Sequence, residues 1–515
     1  MTKRDGCGRP ANDFSAPTYV VLDNICSSHL CFSVTMDRMN VKPRLFGTDG
    51  LRGVAGRYPL DRQTVSRLGA ALGAVLAGEV STRPLCVLLG EDTRESSSWI
   101  SRTLAAGLKQ GGAEVVYAGV ITTPGVAFLT RQRGFAAGVM VSASHNPYED
   151  NGIKILSRSG MKLSESLEVA IERGLGQDQS GQTGDAAERE IESALAPDPT
   201  LLSDYLTHLA SLLPSAIRLS GTRLVVDCAH GSASHVAPEL ARQLGIEARI
   251  LNAEPDGRNI NLQCGSLHPQ KMAEETRRSG ADLGVAFDGD ADRAIFSTHE
   301  GRIADGDHVL YATAPHFKRR GTLKGDAVVG TLMTNLGLEL ALARQGIGLK
   351  RTAVGDKYVL EEMLRSGINL GGEPSGHIIF SDISLAGDGI ITLLQVLRLL
   401  AETGEPLGGL VRELKPFPQV IRNVWVREKR ALDSIPEVAH AVAECRSEFG
   451  DRGRAVVRYS GTERLARVMV EADDAEAVRR HAARIAGAIE SVLGNHAGVS
   501  REPSADPETA EAGED

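Results

Sequence analysis

The chain has 515 residues, 42% hydrophobic and 24% charged, with 57 Lys and Arg against 66 Asp and Glu. That length holds several domains, each with its own core, and a net charge of −9 without a basic stripe argues against a nucleic-acid partner. No apolar run approaches the roughly 20 residues of a membrane span, and seven scattered Cys without a CxxC pair fit a reducing, cytoplasmic setting rather than a disulfide scaffold.

In chain order, residues 1–38 lack signal-peptide character. The motif-bearing body starts at Met39-Asn40-Val41-Lys42-Pro43. Met36 or Met39 is therefore read as the initiator, with a disordered extension as the alternative, and a chain begun at Met39 is expected to keep full activity and stability. Leu85–Gly90 reads as a strand running into a helix start at Glu91–Ser96. The next strand, Gly138–Val141, delivers Ser142-Ala143-Ser144-His145-Asn146-Pro147, then Asp150-Asn151-Gly152-Ile153-Lys154. A serine lifted off a strand end onto a Pro-bounded turn is presented rather than buried, with Lys154 close behind to serve phosphate chemistry. An ordinary surface turn would read the same way, so the motif needs its context.

Beyond a Pro-rich break at Ala196–Pro199, a second strand Leu224–Ala229 leads toward an alanine-rich helix. Ala281–Phe287 then feeds Asp288-Gly289-Asp290-Ala291-Asp292-Arg293, where alternate carboxylates can converge on one hard cation. Oxygen-only ligands favour Mg²⁺ over Zn²⁺. A calcium loop of the EF-hand type fails on spacing, since its closing Glu position holds His299. A polar stretch from Thr298 to Asp305 reads as a connector, and Ala327–Thr331 is a third strand ahead of a helix at Asn335. Gly371-Gly372-Glu373-Pro374-Ser375-Gly376-His377 offers a carboxylate, a hydroxyl and an imidazole for sugar hydroxyls or an amine. After a break at Lys415–Pro418, Arg458-Tyr459-Ser460-Gly461-Thr462-Glu463 joins an Arg fork, hydroxyls and free backbone N–H groups into an anion nest. The residues from about Ala497 on form an acidic tail. Strands alternating with helices predict an α/β fold, in three related units each carrying a functional loop at a strand's carboxyl end. The Walker loop and the Rossmann Gly fingerprint are missing, and no nucleotide cofactor is expected.

In this order, Ser-Ala-Ser-His-Asn-Pro, Asp-Gly-Asp-Ala-Asp-Arg, Gly-Glu-Pro-Ser-Gly-His and Arg-x-Ser-Gly-Thr-Glu resemble the motifs of the α-D-phosphohexomutases. Arg44–Gly53 and Val354–Tyr358 match as well, and the resemblance runs from about Arg44 to about Leu493, nearest to the bacterial phosphoglucosamine mutase branch. It implies an isomerase of four domains around a central cleft: 39–197 with the serine loop, 198–299 with the metal loop, 300–415 with the sugar loop and a smaller α+β domain at 416–494. Residues 495–515 are the expected tail.

The resemblance further implies that Ser144 is carried as phosphoserine and binds Mg²⁺ with Asp288, Asp290 and Asp292. Arg458, Ser460, Gly461 and Thr462 hold the substrate phosphate, Arg293 steadies the phosphoryl oxygens, and Glu373 and Ser375 read the sugar. Glu373 is also suited to pair with a 2-ammonium. The acid–base candidates are Lys154 first, then Arg52, His377 and His268; Arg52, nearly always protonated, is better suited to stabilising charge. The implied reaction interconverts glucosamine 6-phosphate and glucosamine 1-phosphate through a 1,6-bisphosphate, in amino-sugar supply to the cell wall. A hexose 1,6-bisphosphate or a kinase would prime Ser144, and a homodimer is left open. The fourth motif departs from the family pattern: Tyr459 and Arg464 stand where two prolines are usual, which puts phosphate affinity and loop mobility in question. A phosphomannomutase or phosphoglucomutase remains the alternative, and a non-catalytic sugar-phosphate binder a weaker one.

Overall fold

The computed structural model describes residues 20–21, 45–47, 50–79, 84–175, 195–460 and 464–494. They fall into two compact units, one spanning Pro43–Lys415 and the other built mainly from Pro416 onward.

The first unit repeats one sheet plan three times. In the first sheet, Cys86–Glu91 lies between parallel neighbours Glu114–Val120 and Ala137–Val141, and the chain then reverses into the antiparallel strand Asp150–Ser157. In the second, Arg223–Asp227 is flanked by Glu247–Leu251 and Leu283–Phe287, with Ala294–Ser297 antiparallel to the latter. In the third, Ala327–Thr331 is flanked by Gly348–Thr352 and Leu370–Gly372, with Ile378–Phe380 antiparallel. Helices make the parallel crossovers, among them Glu95–Gln110, Ala237–Leu244 and Leu336–Ala343. Such crossovers cover both faces of a parallel strand, which explains why Ala137–Val141 and Leu283–Phe287 are apolar throughout and buried at every position.

An antiparallel step needs only a short reversal. In all three sheets that reversal follows the third parallel strand, and it is occupied by residues 142–149, 288–293 and 373–377, the three motifs read from the sequence. The strands expected at Leu85, Leu224 and Ala327 are all present, but they are the first of each parallel set. The functional loops hang one crossover pair later. The stretch Thr298–Asp305, read as a connector, is instead a hairpin: Ile303–Ala304 pairs with Phe296 and Ser297 and edges the second sheet.

The second unit is antiparallel. Gly453–Tyr459 and Leu465–Ala472 form a hairpin, Gln419–Trp425 pairs with the latter strand, and Val20–Val21 pairs with Val457 and Val456. Helices Pro436–Phe449 and Ala475–Leu493 close over a core that includes Val424, Phe449, Val468 and Ile485.

Candidate active site

Ser144 sits at φ 54°, in the left-handed region where a side-chain-bearing residue is rarely found. Its backbone is fastened from both ends. The N–H donates to Ser142 Oγ (2.9 Å), whose own hydroxyl donates to Asp92 Oδ2 (2.7 Å). The carbonyl accepts from Arg94 Nη2 (3.0 Å) and Asn261 Nδ2 (2.9 Å). Arg94, buried and paired with Asp92 at 2.8 Å, also donates to the carbonyls of Asn146, Pro147 and Asp150, gathering most of the loop onto one guanidinium. Such fivefold donation is available only to Arg. The result aims Ser144 Oγ at Asp288 Oδ2, 2.5 Å away; the serine expected to be presented is instead buried, because the metal loop packs over it.

Asp288, Asp290 and Asp292 each offer an oxygen within 4.8 Å of the others. The close approach of the two loops depends on Gly289, where an added Cβ would lie 2.5 Å from the Ser144 carbonyl oxygen. Burial and the charges of Asp292 and Asp290 push the Asp288 carboxyl well above the usual range. Burial also acts on Asp292, but Lys154, His377 and Arg293 outweigh it and hold that carboxyl well below. Lys154 Nζ bridges Asp290 (2.7 Å) and Asp292 (3.6 Å) as an ammonium. Asp290 Oδ1 and Asp292 Oδ1 are buried without hydrogen-bond partners. Unmet carboxylate oxygens in an all-oxygen cluster are what a hard divalent cation satisfies, so the residues present fit such an ion.

The sugar motif lies against this cluster. His377 Nδ1 is 3.7 Å from Asp292 and its Nε2 3.9 Å from Asp356; burial pushes the imidazole down, yet Asp292, Asp356 and Glu373 together raise it to about 9. Glu373 accepts from the Gly355 N–H at 3.0 Å, and burial raises its carboxyl. Ser375 Oγ is buried with no hydrogen-bond partner. Arg293 donates its N–H to Asp288 Oδ1 at 3.1 Å. Arg52 Nη1 reaches Asn146 Oδ1 at 3.4 Å. His145 Nδ1 lies 3.2 Å from Ser144 Oγ, and Arg293, burial and Arg52 push this imidazole down to about 2. His268 closes a turn at Gly265–Leu267, and among the described residues no hydrogen bond joins it to the cluster.

The phosphate motif belongs to the second unit. Arg458 lies on the strand Gly453–Tyr459, and buried Ser460 donates its N–H to Leu465 at 2.8 Å. Lys429 Nζ donates to the Ser460 carbonyl at 2.6 Å. Gly461 and Thr462 lie outside the described residues. Tyr459, standing where the family places a proline, ties the hairpin down through its hydroxyl, which donates to the Arg430 carbonyl (2.7 Å) and accepts from the Arg430 N–H (3.1 Å).

Sequence reasoning singled out Ser144, Lys154, Asp288, Asp290, Asp292, Arg293 and His377, and the fold assembles them. It missed Asp92, Arg94, Asn261 and Thr123, the last donating its N–H to the Asp290 carbonyl at 3.1 Å. Only Asp92-Thr93-Arg94 carries a usable signal, charged residues directly after a buried strand, and in sequence the pattern reads as a helix start.

Matches to the phosphoglucomutase/phosphomannomutase family cover the chain domain by domain: alpha/beta/alpha domain I over residues 43–182, domain II over 203–301, domain III over 305–417 and the C-terminal domain over 422–488. The chain belongs to this family of phosphohexomutases, which are isomerases. Among its relatives, the phosphoglucosamine mutase of Koribacter versatilis is 50% identical over 454 residues, covering 88% of this chain and 97% of the relative. That of Solibacter usitatus is 47% identical over 457 residues, covering 87% and 99%. A Burkholderia thailandensis phosphoglucomutase/phosphomannomutase family protein shares the fold at TM-score 0.66 and 22% identity, over 86% of this chain and 97% of that one. The N-acetylphosphoglucosamine mutase of Aspergillus fumigatus, solved with GlcNAc-6P and magnesium, does so at TM-score 0.56 and 19% identity, over 87% and 96%.

Proposed function

We propose that this chain is a phosphoglucosamine mutase working through phosphoserine at Ser144. The observation that carries the mechanism is the Ser144 hydroxyl held 2.5 Å from Asp288, inside a cluster of three carboxylates of which Asp288 and Asp290 are buried. The substrate assignment rests on relatives named phosphoglucosamine mutase at 40–50% identity over most of the chain.

Asp288, Asp290 and Asp292, with Ser144, would hold Mg²⁺, which when bound neutralises charge on the phosphoryl group. Glucosamine 6-phosphate binds by its phosphate to Arg458, Ser460, Gly461 and Thr462. Its O1 attacks the phosphoryl on Ser144: the O1–P bond forms, the Oγ–P bond breaks, and the O1 proton leaves to a base. Lys154, buried beside the cluster with its Nζ 2.7 Å from Asp290, remains the proposed acid–base group. Arg293 and Arg52 offset charge on the transferring oxygens. The 1,6-bisphosphate turns end for end, Ser144 Oγ takes the 6-phosphoryl, and glucosamine 1-phosphate departs. Glu373, a buried carboxylate, suits the 2-ammonium, with Ser375 and His377 on the sugar hydroxyls. Priming would come from a hexose 1,6-bisphosphate or a kinase. A cytoplasmic location is supported by the free thiols of Cys86, Cys228, Cys264 and Cys445, and no helix among the described residues is long and apolar enough to cross a membrane.

The test is a mutase assay with Mg²⁺ and a trace of hexose 1,6-bisphosphate, comparing the 6-phosphates of glucosamine, glucose and mannose. Glucosamine 6-phosphate should be strongly preferred, and preference for a neutral hexose would overturn the substrate. Ser144→Ala should abolish turnover while sugar-phosphate binding survives; near-normal turnover would end the phosphoserine mechanism.

A further inference from the structure

The metal loop is gripped from two sides by helix N-termini. From one side, helix Thr123–Arg133 donates the Thr123 N–H to the Asp290 carbonyl (3.1 Å), and its Thr123 hydroxyl donates to Asp290 Oδ2. From the other, helix Gly389–Thr403 donates the Gly389 N–H to the next carbonyl, that of Ala291 (3.0 Å). Ala291 is at φ 58°, a conformation that needs outside support in a residue with a Cβ. Gly389 permits the approach: a Cβ there would meet the Arg293 carbonyl oxygen at 2.6 Å.

Each of these helices has a side-chain cap. Thr122 Oγ1 accepts from the Gly125 N–H (3.0 Å), and Asp388 Oδ1 accepts from Ile390 (2.8 Å) and Ile391 (2.9 Å). One hydroxyl connects the two caps. Tyr205, wholly buried on helix Pro199–Ser211, accepts from Thr122 Oγ1 at 3.3 Å and donates to Asp388 Oδ2 at 2.7 Å. These three residues are separated by 83 and 183 positions in the chain; none is hydrogen-bonded to the three carboxylates, although Asp388 feels the charge of Asp292.

We infer that Tyr205 is a positioning residue for the metal loop, its hydroxyl locking the two helix caps whose next N–H groups fix the consecutive carbonyls of Asp290 and Ala291. A bridge between caps sets the separation of the two helix ends. That separation sets the curvature of the loop, and through it the convergence of its carboxylates. The inference rests on the reading of this loop as a cation site.

The test is Mn²⁺ binding to the unphosphorylated full chain, followed by electron paramagnetic resonance, with the thermal midpoint of the metal-free protein measured alongside. Tyr205→Phe keeps the ring and removes the bridge; it should weaken Mn²⁺ binding about tenfold, the scale of outer-shell changes at metal sites. The KM for glucosamine 6-phosphate should stay within about twofold, since the sugar loop is untouched. A lowered thermal midpoint with unchanged Mn²⁺ affinity would overturn the inference, because a merely structural tyrosine behaves that way. If Tyr205→Phe does not fold, Asp388→Asn decides: it keeps a capping oxygen but weakens the tie, and a wild-type Mn²⁺ affinity there overturns the inference equally. Failure of the wild-type chain to bind Mn²⁺ at all would instead remove the cation-site reading, and this inference with it.

Discussion

At the scale of single residues, the nucleophile's loop is expensive to hold and therefore heavily fastened. Ser144 occupies a left-handed conformation, of order 1–3 kcal/mol above the ordinary regions, and the hydrogen bonds from Arg94 and Asn261 keep it there. The neighbouring constraint is steric. Gly289 faces the Ser144 carbonyl oxygen, the Ile260 side chain at 2.8 Å and Asn261 at 3.0 Å from a Cβ position, and two of these contacts belong to the groups that fix the serine. Gly289→Ala must therefore part the two loops. Overpacking of this kind costs about 1–3 kcal/mol, and a displacement near 1 Å at a reacting group lowers turnover by about 100-fold. Urea unfolding and kcat measured on the same preparation would check both; kcat within twofold of wild type would show that the loops do not need this approach. The residue scale is also where the sequence was most and least informative. Asp288, Asp290 and Asp292 could be read because their cluster is local, alternate positions on one loop. Asp92, Arg94, Asn261 and Thr123 could not, because each acquires its role from a partner 50 to 167 positions away, and a single sequence records no such pairing.

At the scale of elements, the strand pattern was readable because buried parallel strands write continuous apolar runs, such as Ala137–Val141 and Leu283–Phe287. The order of strands was not, since periodicity carries no record of which neighbour a strand chooses. That choice locates the chemistry: each functional loop is the short reversal into an antiparallel strand. The helices behind the loops must stay in place, and Glu402 is one brace. At the end of helix Gly389–Thr403, the helix whose first N–H holds Ala291, it accepts from Arg398 (2.8 Å), His316 (2.8 Å) and Arg320 (2.5 Å). Burial pushes its carboxyl up, but these three donors outweigh that and bring it down to about 2. A carboxyl lowered on folding stabilises the fold above its unfolded value of 4.5, and that contribution is lost as pH falls toward 2. Glu402→Gln should therefore destabilise the protein by about 1 kcal/mol at neutral pH. The deficit should shrink as the pH falls through 4.5. Urea midpoints across that range would show it; a deficit that persists unchanged at the acid end would mean the carboxylate charge is not what braces the helix.

At the scale of the whole molecule, residues 43–415 and the unit from Pro416 onward have separate cores, and the acids lie in the first alone. This makes cation binding a labelled probe of one unit. In the first unit, Asp288, Asp290 and Asp292 stand together with Lys154 as their bridging ammonium, and two of their oxygens are left unmet. A cation bound only by the folded form stabilises it by mass action, about 2.7 kcal/mol at a hundredfold excess over its Kd. Calorimetry of the full chain with chelator and then with Mg²⁺ should raise the transition of the 43–415 unit and leave that of the smaller unit in place. Asp290→Asn should abolish most of the shift, because it removes a charge from the cluster while leaving Thr123 an oxygen to donate to. An unchanged shift in that variant would place the cation elsewhere. Equal movement of both transitions would mean that Mg²⁺ acts as a general ionic effect, and the three carboxylates would then need another explanation for their crowding.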